Sequence, residues 1–186
     1  SQICGVLATN DLNIFSAQAY TREDGIVIDT FQVTPPDGVS EVEARRKTRV
    51  EGQLHNVFEG TTEIRELFEK HQARWSRRRQ PTHTVPPEVL IDNDISDQFT
   101  VIDVFARDEV GLLYRITDAL SDLDLDISTA RISTQADRVI DAFYVRHKQS
   151  GKVQDEASLS EIRSKLLKKL AVAKGKTSST RGKEKL

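Results

Sequence analysis

The sequence predicts an α+β fold made of two copies of one small unit arranged in tandem. Three observations predict it. The stretch from Ile3 to Ala17 repeats as Ile116 to Ala130, with Ile3 on Ile116, Leu7 on Leu120, Leu12 on Leu125, Ile14 on Ile127 and Ala17 on Ala130. After one gap, Val27-Ile28-Asp29-Thr30-Phe31-Gln32-Val33 repeats as Val139-Ile140-Asp141-Ala142-Phe143-Tyr144-Val145 and shares Asp-x-Phe-x-Val. Helix and strand periodicities follow one another in the same order in both copies. Self-similarity of this kind decides architecture before any single element does.

The second copy is complete at its start. Phe99 to Ala106 is rich in Val, Ile and Phe and reads as a strand, with apolar residues on both alternating sets. Asp108 is placed to cap the helix that follows, in which Leu112, Leu113, Ile116, Ala119, Leu120 and Leu123 recur at helical spacing. Ile127 to Thr134 and Val139 to Arg146 are two further strands, and the short polar link Gln135 to Arg138 makes them a hairpin. Leu159, Ile162, Leu166, Leu167 and Leu170 mark a second amphipathic helix.

The first copy begins inside its first helix, so its opening strand and loop are expected upstream of Ser1. Its hairpin runs Asn13 to Tyr20 and Ile26 to Val33 through Glu23-Asp24-Gly25. Val50, Leu54, Val57 and Phe58 mark a long helix. Gly60 is expected to stop it, and Thr61 or Thr62 to restart a shorter one carrying Ile64, Leu67 and Phe68. A linker lies at about residues 72–87. Val89-Leu90-Ile91 is expected to be the last strand of the first copy, and Asp92-Asn93-Asp94 to turn the chain into Phe99. The first unit is thus placed at 1–95 and the second at 96–170. The Lys-, Ser-, Thr- and Gly-rich segment 171–186 is expected to be a disordered basic tail, which leaves the second unit without a final strand.

Strand-helix-strand-strand-helix-strand is the ferredoxin-like order. Two such units form the expected fold: α+β, ferredoxin-like, in tandem.

Composition narrows the function classes. The chain has 186 residues, 37% hydrophobic and 30% charged, with one Cys and no Met. No apolar run approaches the ~20 residues of a membrane-spanning helix. A formal charge of −2 argues against nucleic acid as the main partner, because backbone binding needs a concentrated basic surface. Arg74, Arg77, Arg78 and Arg79 around Trp75, and Lys174, Lys176, Arg181, Lys183 and Lys185, are local exceptions. Cys4 sits at helical spacing with Ile3 and Leu7 and reads as a packing residue. A lone Cys fits a reducing compartment, so a cytoplasmic location is expected. His55, His71, His83 and His147 are scattered without metal-ligand spacing, and His71 reads as helix surface. No phosphate-binding glycine loop and no nucleophile elbow is present. Asp92, Asp94 and Asp97 read as a solvated turn in preference to a cation site. Asp29 and Asp141 recur in both copies on a strand, with no catalytic role assigned.

The loop of the second copy is more specific. Arg107-Asp108-Glu109-Val110-Gly111-Leu112-Leu113-Tyr114-Arg115-Ile116, followed by Leu123-Asp124-Leu125-Asp126-Ile127-Ser128-Thr129-Ala130, resembles an ACT domain, a small module that binds amino acids and regulates an attached enzyme. The first copy carries Asn10-Asp11-Leu12-Asn13-Ile14 with Ala17. The tandem pair, with Tyr20 to Phe31, resembles the C-terminal end of the bacterial PII uridylyltransferase/uridylyl-removing enzyme family. That resemblance covers Gln2 to Leu170. It implies nitrogen signalling: a non-catalytic pair that senses glutamine and balances two activities on the PII signal protein. Upstream nucleotidyltransferase and phosphohydrolase domains would need a divalent metal such as Mg, and no cofactor is expected in the pair itself. The family usually has Pro where this chain has Val110.

Physical chemistry gives the loop a parallel reading. Gly111 lets backbone approach a ligand closely. The N–H groups of Gly111 and Leu112 are expected as first-turn donors for an α-carboxylate. Asp108 or Asp126, the latter expected next to the loop, would receive the α-ammonium. Asn13 is the counterpart of Asp126, and an amide there would read a glutamine side chain. The ligand-binding residues are therefore Asp108, Val110, Gly111, Leu112, Asp126 and Ile127 in the second copy, with Asn13 and Ile14 as what remains of the first copy's site, which is incomplete without its loop; no catalytic or metal residues are assigned. Two other readings stand beside it. One is a dimerisation or regulatory ACT module of another enzyme, associating through its sheets. The other is an RNA-binding module of the same strand order, for which only Phe143 and Tyr144 are at hand.

Overall fold

The computed structural model describes residues 1–22, 24, 26–35, 41–75, 86–107, 109–135 and 138–171. In chain order the elements are α1 (Gln2–Thr9), β1 (Asn13–Thr21), β2 (Val27–Thr34), α2 (Ala44–Phe58), α3 (Ile64–Trp75), β3 (Glu88–Asp92), β4 (Thr100–Arg107), α4 (Leu112–Ser121), β5 (Leu125–Gln135), β6 (Arg138–His147) and α5 (Glu156–Ala171). These are the elements the sequence predicts; most differ by a residue or two at their ends, but α2 starts earlier, at Ala44, and α3 runs on to Trp75, into the stretch expected as linker. Position 108, the tips of both expected hairpins (23 and 25, 136 and 137), much of the linker and the tail from 172 lie outside the described residues.

Two sheets form. β1 and β2 pair antiparallel, and a second, antiparallel sheet has the order β3-β4-β6-β5. The internal repeat survives in fine detail. Both strand pairs carry a register shift at the same place, between Ile14 and Ser16 in one and between Ile127 and Thr129 in the other. Asp11 and Asp124, one repeat apart, both have left-handed backbone, with φ of 55° and 54°. Asp tolerates that region better than most side chains, so the same corner leads from helix to strand in each unit.

Val89-Leu90-Ile91, expected to close the first unit, lies elsewhere. β3 pairs with β4 from Glu88↔Phe105 to Asp92↔Val101 and forms the edge of the second unit's sheet. In a ferredoxin-like sheet the last strand pairs with the first, so β3 fills the place that a strand after α5 would take. The reason is the short turn between β3 and β4. Asp92 Oδ1 accepts the N–H of Asp94 at 2.7 Å and of Ile95 at 3.3 Å, folding the chain straight back on itself. In the first unit, β1 is the hydrogen-bonded neighbour of β2. The side of β2 that corresponds to the β4 side of β6 carries no strand among the described residues.

Gly60, at φ 71°, follows the last turn of α2, and α3 starts at Ile64, as the sequence predicts. The core is continuous across both units. It joins Val6, Leu12 and Val50 of the first with Ile102, Val104, Ile116, Leu120, Phe143, Val145 and Leu166 of the second. Full burial of each such side chain contributes about 1.5–3 kcal/mol, as an upper figure. β1 lies against β5, α1 against α4, and α3 against α1. Cys4 is buried as expected, and burial pushes its thiol pKa up, away from nucleophilic use. His71 is not helix surface. Its Nε2 lies 2.6 Å from Asp11 Oδ1, tying α3 to the α1–β1 corner.

Candidate functional site

A cavity opens where the two units meet. Its wall includes Cys4, Ala8, Leu12, Asn13 and Ile14 from the first unit. Glu109, Gly111, Leu112, Leu113, Tyr114, Ile132 and Asp141 come from the second. Its volume of about 20 Å³ suits a single water and not an amino acid. Four of the sequence-predicted residues therefore meet here: Gly111 and Leu112 on one side, Asn13 and Ile14 on the other.

Gly111 holds the site together. It precedes α4 with φ 86°, a conformation that costs a side chain about 1–2 kcal/mol. A Cβ on it would stand 2.6 Å from two ring atoms of Phe68 and 3.8 Å from Ala8 Cβ. Glycine is thus required twice, by its own backbone and by the α3 ring packed on it. That ring also lies against Tyr114, with centroids 4.3 Å apart. Burial, followed by the charge of Asp118, pushes the Tyr114 hydroxyl up to about 12.

The first turn of α4 differs in part from expectation. The Leu112 N–H is not free, since it donates to the Glu109 carbonyl at 3.0 Å. The helix N-cap is Gly111, so no side chain caps the helix; Asp108, expected as the cap, lies outside the described residues. Glu109 is engaged with Arg115, whose guanidinium nitrogen Nη2 contacts Glu109 Oε1. Arg115 is buried, which makes this pair a fixed feature of the rim.

Three predicted residues stand apart. Val110 and Ile127 are half-buried and pack against the core without lining the cavity. Asp126 is exposed and sits opposite Arg146. The loop end of the sheet is marked by Arg107 and Gln135, which both pair with Arg138. Asp126 pairs eight residues further along β6, about 26 Å away at ~3.3 Å per residue. It lies at the far end of the strand because β5 runs back toward the loop and does not start there. Besides Glu109, which is engaged with Arg115, the cavity is lined by the carboxylate of Asp141, 1% exposed on β6. Its recurrence with Asp29 was the sequence signal for it, and the repeat hides the difference between the two, since Asp29 is exposed.

An ion network joins the units at the C-terminal end of α4, away from this cavity. Arg65 of α3 contacts Asp118 at 2.9 Å and also Asp122, both on the α4 side, and Lys169 of α5 reaches Asp118 at 2.8 Å. Burial alone would raise the Asp122 carboxyl, but the hydrogen bond and charge of Arg65, with Lys169 and Lys165, hold it below the usual range. Among the described residues no group of three or more His, Cys, Asp or Glu is placed to hold a metal ion, and no helix is long and apolar enough to cross a membrane.

Comparison with known proteins agrees with this architecture. Residues 88–182 match the family described as "ACR9-like, ACT-like domain", a match that opens at the first residue of β3. Over 93% of its length the chain is 39% identical to a bifunctional uridylyltransferase/uridylyl-removing enzyme of Gluconobacter oxydans. It is 35% identical over 89% of its length to the enzyme of that name from Rhodospirillum rubrum, and 38% identical over 92% to that of Azospirillum brasilense. The chain spans about 18% of the length of these relatives. No solved structure matches significantly. With its repeated units, its glycine-led loop and these relatives, the chain belongs to the ACT-like domain family, in the form that is carried by bifunctional uridylyltransferase/uridylyl-removing enzymes.

Proposed function

We propose that this pair of units is a regulatory sensor for a small amino acid, glutamine first among candidates. In this reading it acts in nitrogen signalling, as a cytoplasmic part of a parent enzyme that adds uridylyl groups to the PII signal protein and removes them. Catalysis, and any need for a divalent metal such as Mg, belongs to other domains of that parent. The observation that carries the reading is the cavity between the units. It puts the glycine-led start of α4 opposite Asn13 and Ile14, with the Asp141 carboxylate in the wall.

The chemistry fits an amino acid. The start of α4 favours a carboxylate, Asp141 offers a partner for an ammonium, and the Asn13 amide offers paired donor and acceptor groups. The cavity's size adds a mechanism. A ligand larger than one water fits only if the wall moves, and the wall comes from both units, so binding energy couples to the arrangement of the two units. A ligand that favours one arrangement shifts the population toward it, and attached domains sense the shift.

Calorimetry of the 186-residue chain with glutamine tests this. Saturable binding that weakens about tenfold or more in Asp141→Asn is expected. The absence of binding by glutamine and every other amino acid at millimolar concentration would sink the proposal. Self-association through the first unit's sheet is a second reading, favoured by the exposed Ile26, Val27 and Ile28. Light scattering over a concentration series distinguishes it.

A further inference from the structure

A second cleft, of about 550 Å³, lies at the end of the second unit opposite the Gly111 cavity, beside the Leu125↔His147 pair. Its apolar lining is Leu123, Leu125, Val153 and Ile162, and its polar lining includes Asp155, Ser158 and Glu161 together with Lys152 and His147. Its size falls in the ~300–1,000 Å³ range of small-ligand sites. We propose that it binds a guanidinium or ammonium cation carried on an aliphatic stem, as a free small molecule.

The first unit shows what the cleft is shaped for. The spacing that sets Val27 on Val139 also sets Ala44, the first residue of α2, on Glu156, the first residue of α5. It likewise sets buried Val50 on buried Ile162. By the same spacing Arg46 falls on Ser158 and Arg49 on Glu161, while the earlier repeat sets Asn10 on Leu123. In the first unit both arginines turn onto the α1–β1 corner. Arg49 Nε donates to Asn10 Oδ1 at 2.6 Å, and Arg46 Nη1 reaches the Asp11 carbonyl at 3.5 Å. The second unit has a hydroxyl, a carboxylate and a leucine in place of the two arginines and the asparagine. The exchange leaves space where two guanidiniums stood, removes one positive charge at Ser158 and reverses another at Glu161, and puts an apolar side chain at Leu123.

Lys152, which lines the cleft, and Lys165 are both engaged with backbone carbonyls. Lys152 Nζ donates to the carbonyls of Asn93 and Ser96 at 2.6 and 2.7 Å, and Lys165 Nζ to that of Asp122 at 3.1 Å. His147 Nδ1 accepts from the N–H groups of Gln149 and Ser150. Asp155 accepts the Ser158 N–H at 2.8 Å, which fixes its carboxylate at the start of α5. A guanidinium at Glu161 gains a charge-assisted hydrogen bond, and its methylene stem lies along Leu123 and Ile162.

The test titrates the full chain with agmatine, with arginine, with N-acetyl-arginine amide and with neutral citrulline, followed by calorimetry and methyl NMR. Saturable agmatine binding that shifts the Leu123, Leu125 and Ile162 methyl signals is expected, together with weaker or no binding of citrulline. Glu161→Gln should weaken agmatine by about tenfold or more. Ser158→Arg with Glu161→Arg, which installs the first unit's residues, should abolish binding while circular dichroism shows a folded chain. Asp141→Asn should leave agmatine binding intact, which separates this site from the glutamine reading. Equal binding of citrulline, unchanged binding in the double arginine variant, or no agmatine binding at millimolar concentration overturns the proposal. Tighter binding of the amide than of agmatine overturns the assignment to a free small molecule.

Discussion

Phe68 of α3 presses its ring onto Gly111 at the head of α4, so closely that a methyl group on Gly111 would stand 2.6 Å from two ring atoms. One residue thus couples the second half of the first unit to the loop of the second.

Gly111→Ala should destabilise the chain by about 1–2 kcal/mol from its backbone alone, with the ring clash adding to that. Phe68→Ala removes the clash and leaves the backbone cost. The double variant should therefore lose less stability than the two single changes combined, which a double-mutant cycle by denaturant titration measures. Additive losses would mean that the ring does not rest on Gly111.

The Arg65 network should make stability acid-sensitive. Asp122 has its folded pKa depressed by Arg65 and the two lysines. Its contribution is therefore present above the unfolded carboxylate value of about 4 and is lost as pH falls through the depressed value. Arg65 is half exposed, so solvent screening limits the effect of Arg65→Ala to about 1 kcal/mol. Thermal melts at pH 7 and pH 3 should show the variant and parent converging at the lower pH, and high salt should narrow the gap at pH 7.

Tyr114 gives an alkaline counterpart. Its folded pKa is raised to about 12 by burial and by Asp118. The stability it contributes is complete below the unfolded tyrosine value of about 10 and is lost as pH rises through 12. Ultraviolet titration should show a phenol step near 12 that disappears in Tyr114→Phe. A normal titration would mean that the Phe68–Tyr114 layer is open to solvent.

The fold was legible because its signals are local and doubled. Each strand and helix has its own periodicity, and the repeat supplies a second reading of the same corner, down to Asp11 and Asp124. The partner of β3 was not legible. A five-residue strand with a mixed burial pattern pairs equally well with either sheet on paper, and the turn at Asp92 decides it. Gly111 and Leu112 were legible as the second unit's loop, and Asn13 and Ile14 only as the remnant of a separate site in the first unit; that the two pairs face each other across one cavity follows from the packing of the units, which no repeat encodes. Asp126 was misplaced because closeness in sequence to the helix end was read as closeness to the helix start. Phe68 and Asp141 could not be assigned to the site from pattern alone, since a helix-face phenylalanine and a strand aspartate have many uses.

That difference between Asp126 and Asp141 yields the sharpest test of the site. Asp126 is exposed and about 26 Å along the sheet from the loop, whereas Asp141 lines the cavity. Asp126→Ala should leave amino-acid affinity within twofold of the parent. Asp141→Asn removes the charge while keeping the shape, and should weaken binding about tenfold or more if that carboxylate holds the ammonium. Calorimetry on both variants, with matched thermal melts to show that each is folded, decides the matter. If affinity falls in Asp126→Ala and persists in Asp141→Asn, the ligand sits at the other end of the sheet and the cavity at Gly111 is a packing feature.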